Sequence, residues 1–247
     1  MNSDEIRYYR EPDGSLLKLD IGYDENPLNP RTDWDNVGTM VCFHRRYTLG
    51  DMQTRPDGRT SVIPHTNVRY DNSADGAESF VEWAKERLAR NELVIASLEL
   101  YDHGGITIHV RDWGEEAFGT GRTGWDSGVI GWIFVTKETA FAEYGGLTAE
   151  NWKAKAQEYL ADEVKTYDDY LTGEVYQYAL YRLSAYRIIE HGVEKIQFNR
   201  GATWDLEDSC GGYFGYDHKK SGLLACLPLD AVRVYKADLP DVAKEAA

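Results

Sequence analysis

The feature that most constrains this chain is the run Val129-Ile130-Gly131-Trp132-Ile133-Phe134-Val135. Apart from Gly131 it is apolar or aromatic throughout, which reads as a strand buried on both faces. Gly131 has no side chain, so another backbone or a ligand can approach closely there. The chain enters this strand through Gly124-Trp125-Asp126-Ser127-Gly128, whose Gly and Ser residues suit a tight turn. Trp125 and Trp132 bracket the end of that turn and the strand, and Asp126 sits at the tip. An acidic, Gly-framed mouth on a central strand suits a site, and it suits plain hydrophobic core equally well.

The other segments are arranged around this strand. Ile6 to Arg10 and Leu16 to Tyr23 read as a hairpin closed by Pro12-Asp13-Gly14-Ser15. Asp24 to Asn36, with two prolines, reads as a long polar loop. Thr39 to His44 is a short buried strand, and residues 50–73 are loop-like. Ser73 suits the N-cap of a helix to about Asn91, with Phe80, Val81, Ala84 and Leu88 in its apolar stripe. Glu92 to Tyr101 and Ile106 to Val110 form a second hairpin around Asp102-His103-Gly104-Gly105. Residues 111–124 read as a mobile polar loop. Lys137 to Tyr144 and a helix capped by Thr148 and reaching about Leu171 follow. Glu174 to Ile189 reads as one long strand, continued by Val193 to Phe198. Asp205 to Gly215 is polar and Gly-rich. Lys219 to Cys226 suits a short helix and Val232 to Lys236 a final edge strand. The tail after Asp238 is expected to fray.

Strands arrive mostly in hairpins and helices in two insertions. The expected class is therefore α+β, a largely antiparallel sheet with two or three helices packed on one face. No repeat and no low-complexity linker interrupts the chain, so one domain over residues 1–247 is expected, ordered from about 5 to about 236. A domain of this length buries roughly three-quarters of its unfolded surface, enough to fold without a metal or disulfide.

The formal charge is −15, from 42 acids against 27 bases. That balance argues against direct nucleic-acid binding through a basic face and favours basic partners, although the excess also serves solubility. The 17 tyrosines and 7 tryptophans suit sheets and binding surfaces alike. Three cysteines, Cys42, Cys210 and Cys226, without C-x-x-C spacing, fit a reduced, cytoplasmic protein with buried thiols. No signal peptide is visible at Met1 to Glu5, and no run approaches the roughly 18 apolar residues of a membrane span.

Four constellations bear on chemistry. His44, His103 and His109, with Asp102, carry metal-ligand chemistry without metal-site spacing; Asp24, Asn26, Asp33 and Asp35 lack the calcium-loop pattern. No metal or cofactor is expected. Cys210, within Asp208-Ser209-Cys210-Gly211-Gly212, has the surroundings of an exposed thiolate if His218 or His103 comes near as a base, and otherwise of a small residue in a tight turn. Asp102, Asp126, Glu207 and Asp208 supply carboxylate pairs of the kind used in glycoside hydrolysis, a weak signal in so acidic a chain. Gly119 to Gly124 spells G-x-G-x-x-G, but it leads into a strand rather than opening a helix.

Several segments together, Ile21 to Pro27 with Asp33 to Asn36, Leu100 to Thr107, Trp125 to Gly128 with Gly131-Trp132, Tyr167 to Tyr176, and Asp208 to Gly215, resemble a family of uncharacterised bacteriophage and mobile-element proteins. The resemblance spans most of residues 21–215 and implies a phage setting and the host cytoplasm, with no catalytic role to carry over. The expected function is that of a non-enzymatic accessory protein binding a host protein with a basic surface, such as a defence-related nuclease. The alternative is a small-ligand binder or hydrolase using Asp102, His103, Trp125, Asp126, Asp208 and Cys210.

Overall fold

The structure is a computed structural model and describes residues 4–52, 61–119, 124 and 126–246. Its elements are β1 (Glu5–Arg10), β2 (Leu16–Tyr23), β3 (Thr39–Cys42), α1 (Ala74–Ala89), β4 (Leu93–Asp102), β5 (Ile106–Trp113), β6 (Ser127–Thr136), α2 (Lys137–Glu143), α3 (Trp152–Thr172), β7 (Val175–Leu183), β8 (Tyr186–Glu190), β9 (Val193–Gln197), β10 (Trp204–Phe214), β11 (Val232–Val234) and α4 (Asp241–Glu245). The class is α+β, and the strand pairings among the described residues are antiparallel. The chain divides into two compact units, Leu28–Thr172 and Met1–Pro27 with Gly173–Ala247. The first boundary falls within the polar, proline-containing loop from Asp24 to Asn36, and the second at Thr172-Gly173.

In the unit of residues 28–172 the sheet order is β3-β6-β4-β5. Alternation along the strands sends side chains to two separate cores. Leu93, Ile95, Phe134 and Val41 pack with Phe80, Trp83 and Ala84 of α1. Val94, Ala96, Leu98, Ile133 and Val135 pack with Trp152, Ala156, Leu160 and Val164 of α3. The helices thus cover both faces of this sheet rather than one, as the doubly apolar β6 requires. Gly131 is where β3 comes closest: a Cβ there would lie 2.0 Å from the Val41 carbonyl oxygen. The Ser73 hydroxyl caps α1 by accepting the Gly76 N–H at 3.2 Å.

A buried charge cluster ties the loop after Pro27 to this unit. The Arg31 side chain is fully buried. It donates to both oxygens of Asp51 at 2.6 and 2.8 Å, to Glu163 at 2.7 Å and to the Gly38 carbonyl at 2.6 Å. The second Glu163 oxygen accepts the Val37 and Gly38 N–H groups. Burial works against the guanidinium charge, but the Asp51 and Glu163 carboxylates outweigh it and raise its pKa.

The other unit is a five-stranded sheet in the order β10-β7-β2-β1-β11. Tyr9, Leu17, Leu19, Ile21, Tyr178 and Leu180 form one core with Leu223. Tyr8, Leu16, Leu183 and Ala202 form another with Leu239 and Ala243. The tail after Asp238 does not fray: it makes α4, anchored by buried Ala243. The long strand expected from Glu174 to Ile189 breaks after Leu183, and β8 pairs instead with β9 across a His191-Gly192 turn. Both turn residues have positive φ, the backbone that two-residue hairpin turns demand.

Candidate functional site

In the unit of residues 28–172, the tip of the β4–β5 hairpin meets the turn that feeds β6. The Asp102 N–H donates to the Asp126 carbonyl at 2.9 Å. Above this bond the His103 Nδ1 lies 3.4 Å from Asp126 Oδ2. Asp102 Oδ2 accepts from the Tyr47 hydroxyl at 2.9 Å and from Arg46 at 3.2 Å. That hydrogen bond from Tyr47 to Asp102 holds the phenol proton and raises the Tyr47 pKa. His44 stacks on Tyr47 at 5.1 Å, and its Nδ1 accepts the Arg46 and Tyr47 N–H groups. Burial first, and then Arg46, lowers the His44 pKa, which keeps that nitrogen free to accept. The His103 side chain is 71% exposed and the Arg46 side chain 73%, so this is an open surface cluster. Trp125 and Thr120 to Thr123 lie outside the described residues.

Asp208 and Cys210 fall in the other unit, on β10. The polar Gly-rich segment expected from Asp205 to Gly215 is a strand rather than a turn. Asp205 to Gly212 are all exposed, so no apolar periodicity marks the strand in the sequence. β10 pairs with β7 and forms the edge of its sheet. Two register shifts interrupt that pairing, between Leu206 and Asp208 and between Cys210 and Tyr213, as is common on edge strands. The second is built by Gly211 and Gly212. A Cβ on Gly211 would lie 2.4 Å from Asp24 Oδ2, and Gly212 has φ +80°. The same Asp24 oxygen accepts the Gly212 N–H at 2.9 Å.

This placement separates the sequence candidates. Asp102, His103 and Asp126 come together; Asp208 and Cys210 belong to a different structural element in a different unit. Cys210 is an exposed free thiol, whereas Cys42 is buried and Cys226 half-buried, so the expectation of buried thiols holds for Cys42 alone. Cys226 is pushed up to about 11, chiefly by burial. His218, a candidate base for Cys210 on sequence grounds, instead packs edge-on against Tyr176 at 4.8 Å and faces Glu5 at 3.9 Å. Asp208 accepts from the Tyr178 hydroxyl at 2.5 Å. His109 faces Glu99 at 3.7 Å. Among the described residues no group of three or more His, Cys, Asp or Glu is placed to hold a metal ion.

Beside β10 lies a groove of about 610 Å³ lined by Glu11, Asp13, Asp205 and Glu207, with Arg182 and Arg187. Arg182 bridges Glu11 and Glu207, and Arg187 reaches Asp13 at 3.3 Å. Four carboxylates thus face two guanidiniums. A larger groove of about 780 Å³ in the unit of residues 28–172 is lined by Trp83, Arg87, Glu92, Lys137 and Phe141, none of them singled out by the sequence. No helix among the described residues is long and apolar enough to cross a membrane. No protein-family model, no curated protein and no solved structure matches the chain.

Proposed function

We propose that the protein is a binding module rather than an enzyme, and that the edge of β10 takes up an extended, basic segment of a partner protein. The observation that carries this reading is the eight-residue exposed stretch Asp205 to Gly212 on a strand that ends its sheet. Backbone N–H and C=O groups on such an edge are a template for one more strand. Natural edges are commonly guarded by lysine; this one presents Asp205, Glu207 and Asp208 with Leu206, which is 60% exposed. Like charges oppose pairing of this edge with a second copy of itself, whereas alternating basic residues on an incoming strand complement it. The adjoining groove, with its excess of carboxylates, suits the end of a lysine or arginine side chain. A basic host protein in a phage-infected cytoplasm is the partner class drawn from the family resemblance and the −15 charge. Amide exchange along β10, with and without a basic strand peptide, tests the reading.

The juxtaposition of His103 and Asp126 favours a second reading, in which the hairpin tip binds a small polar ligand. An imidazole–carboxylate pair on an open surface offers hydrogen-bonding groups to a polar ligand. Imidazole resonances of His103, followed while small polar metabolites are added, test it. Unchanged resonances across the panel would remove it.

A further inference from the structure

A second and independent feature lies in the unit of residues 28–172. On α3, Tyr159, Asp162, Glu163 and Thr166 share one face by helical spacing. Tyr144, just after α2, lays its ring on Tyr159 with centroids 4.1 Å apart and planes 24° from parallel. Pro30, Trp34 and Asn36 of the loop before β3 complete the lining of a cavity of about 210 Å³.

Three aromatic rings and two carboxylates therefore surround a small space, and no lysine or arginine among the described residues lines it. Trp34 and Tyr159 are partly exposed, so the space opens to solvent. The Glu163 charge is answered by Arg31 from the protein side. Asp162 is exposed and is among the residues that line the cavity. The Tyr144 hydroxyl is buried and has no hydrogen-bond partner among the described residues. Burial first, and then the Glu163 carboxylate, pushes the Tyr144 pKa upward, so the hydroxyl stays a donor and the ring stays neutral.

The lining decides between ligand classes. Anions are opposed by both carboxylates. A small inorganic cation gains little here, because Glu163 is committed and hard cations require several oxygen ligands. The faces of Trp and Tyr rings attract weakly hydrated cations, with quaternary ammonium groups the best matched. The volume is below that of drug-sized pockets and suits a head group.

We propose that this cavity binds an alkylated ammonium group of the trimethylammonium class, held over Trp34, Tyr144 and Tyr159 with Asp162 in the lining. Choline and tetramethylammonium, titrated separately into the full chain and followed by tryptophan fluorescence and NMR, test it. The uncharged tert-butyl isostere of choline is the control, and thermal melts check that each variant folds. Saturable binding of both cations is expected, with the isostere about tenfold weaker, the scale of a partly desolvated cation–π contact. Tyr159→Ala should abolish binding and Asp162→Asn should weaken it several-fold, both with unchanged melting; Asp162→Asn keeps the proposal testable if Tyr159→Ala fails to fold. Equal binding of the isostere would make the cavity a neutral apolar site and overturn the proposal, as would the absence of saturation by either cation.

Discussion

The Asp24 carboxylate accepts the Gly212 N–H at 2.9 Å and stands where any side chain at residue 211 would have to go. Two distant segments singled out in the sequence, around Asp24 and around Cys210, therefore meet at one irregularity in β10. The expected consequence is local. Gly212→Ala places a side chain at φ +80°, a cost of about 1–2 kcal/mol. Urea unfolding should register that loss, and the amides of residues 211–214 should exchange faster. An unchanged midpoint would mean that this bulge contributes nothing to the stability of the sheet.

Arg31 gives a larger effect. Removing one partner of a buried, hydrogen-bonded ion cluster leaves the others uncompensated, at about 3–5 kcal/mol. Arg31→Met should lower the chemical-denaturation midpoint accordingly, because Asp51 and Glu163 would lose the guanidinium that both contact. A variant within about 1 kcal/mol of the parent, well short of that cost, would show that the loop from Leu28 to Gly38 is held by other contacts.

These two sites also show what was legible in the sequence. The hairpin β1–β2, the Ser73 cap and the β4–β5 turn were legible because their signals are local: alternation, a capping hydroxyl and paired glycines within a few residues. The close approach at Gly131 could be read as well, since a glycine inside an apolar strand marks a bulge or a nearby backbone. The meeting of Asp102 and Asp126 joins two turns that each adjoin a buried strand. Arg31 gave no signal, because its carboxylate partners lie 20 and 132 residues away and an arginine in a polar loop looks solvated. β10 escaped for a different reason: a strand exposed on both faces has no apolar period, and its glycines imitate a turn. The aromatic cavity depends on a loop, the end of α2 and α3 meeting in space, which no local pattern records.

Alkaline pH should act through buried phenols. The Tyr70 hydroxyl donates to the Cys42 carbonyl at 2.7 Å, and burial pushes its pKa up to about 12. Burial likewise pushes Tyr167 up to about 12. Their unfolded value is about 10, so between these limits the folded state holds protons that the unfolded state releases. Stability is full below about pH 10 and is lost as pH rises through about 12. Phenolate absorbance followed alongside far-UV circular dichroism should show a late-ionising fraction that titrates together with unfolding. Ionisation of all tyrosines near pH 10 with unchanged dichroism would contradict this.

The β10 edge is tested most directly by hydrogen exchange on the full chain with a peptide of alternating lysine and valine, long enough to span the 11 residues of β10. Ionic strength would be varied from about 0.01 M to about 0.15 M, a range over which the screening length falls from about 30 to about 8 Å. The expected result is slowed exchange confined to alternate amides of Asp205 to Gly212 at low salt. That protection should fade as salt rises and be absent in an Asp205→Lys, Leu206→Lys variant with normal melting. Protection elsewhere in the chain, or none on β10 at the lowest salt, would contradict strand addition at this edge.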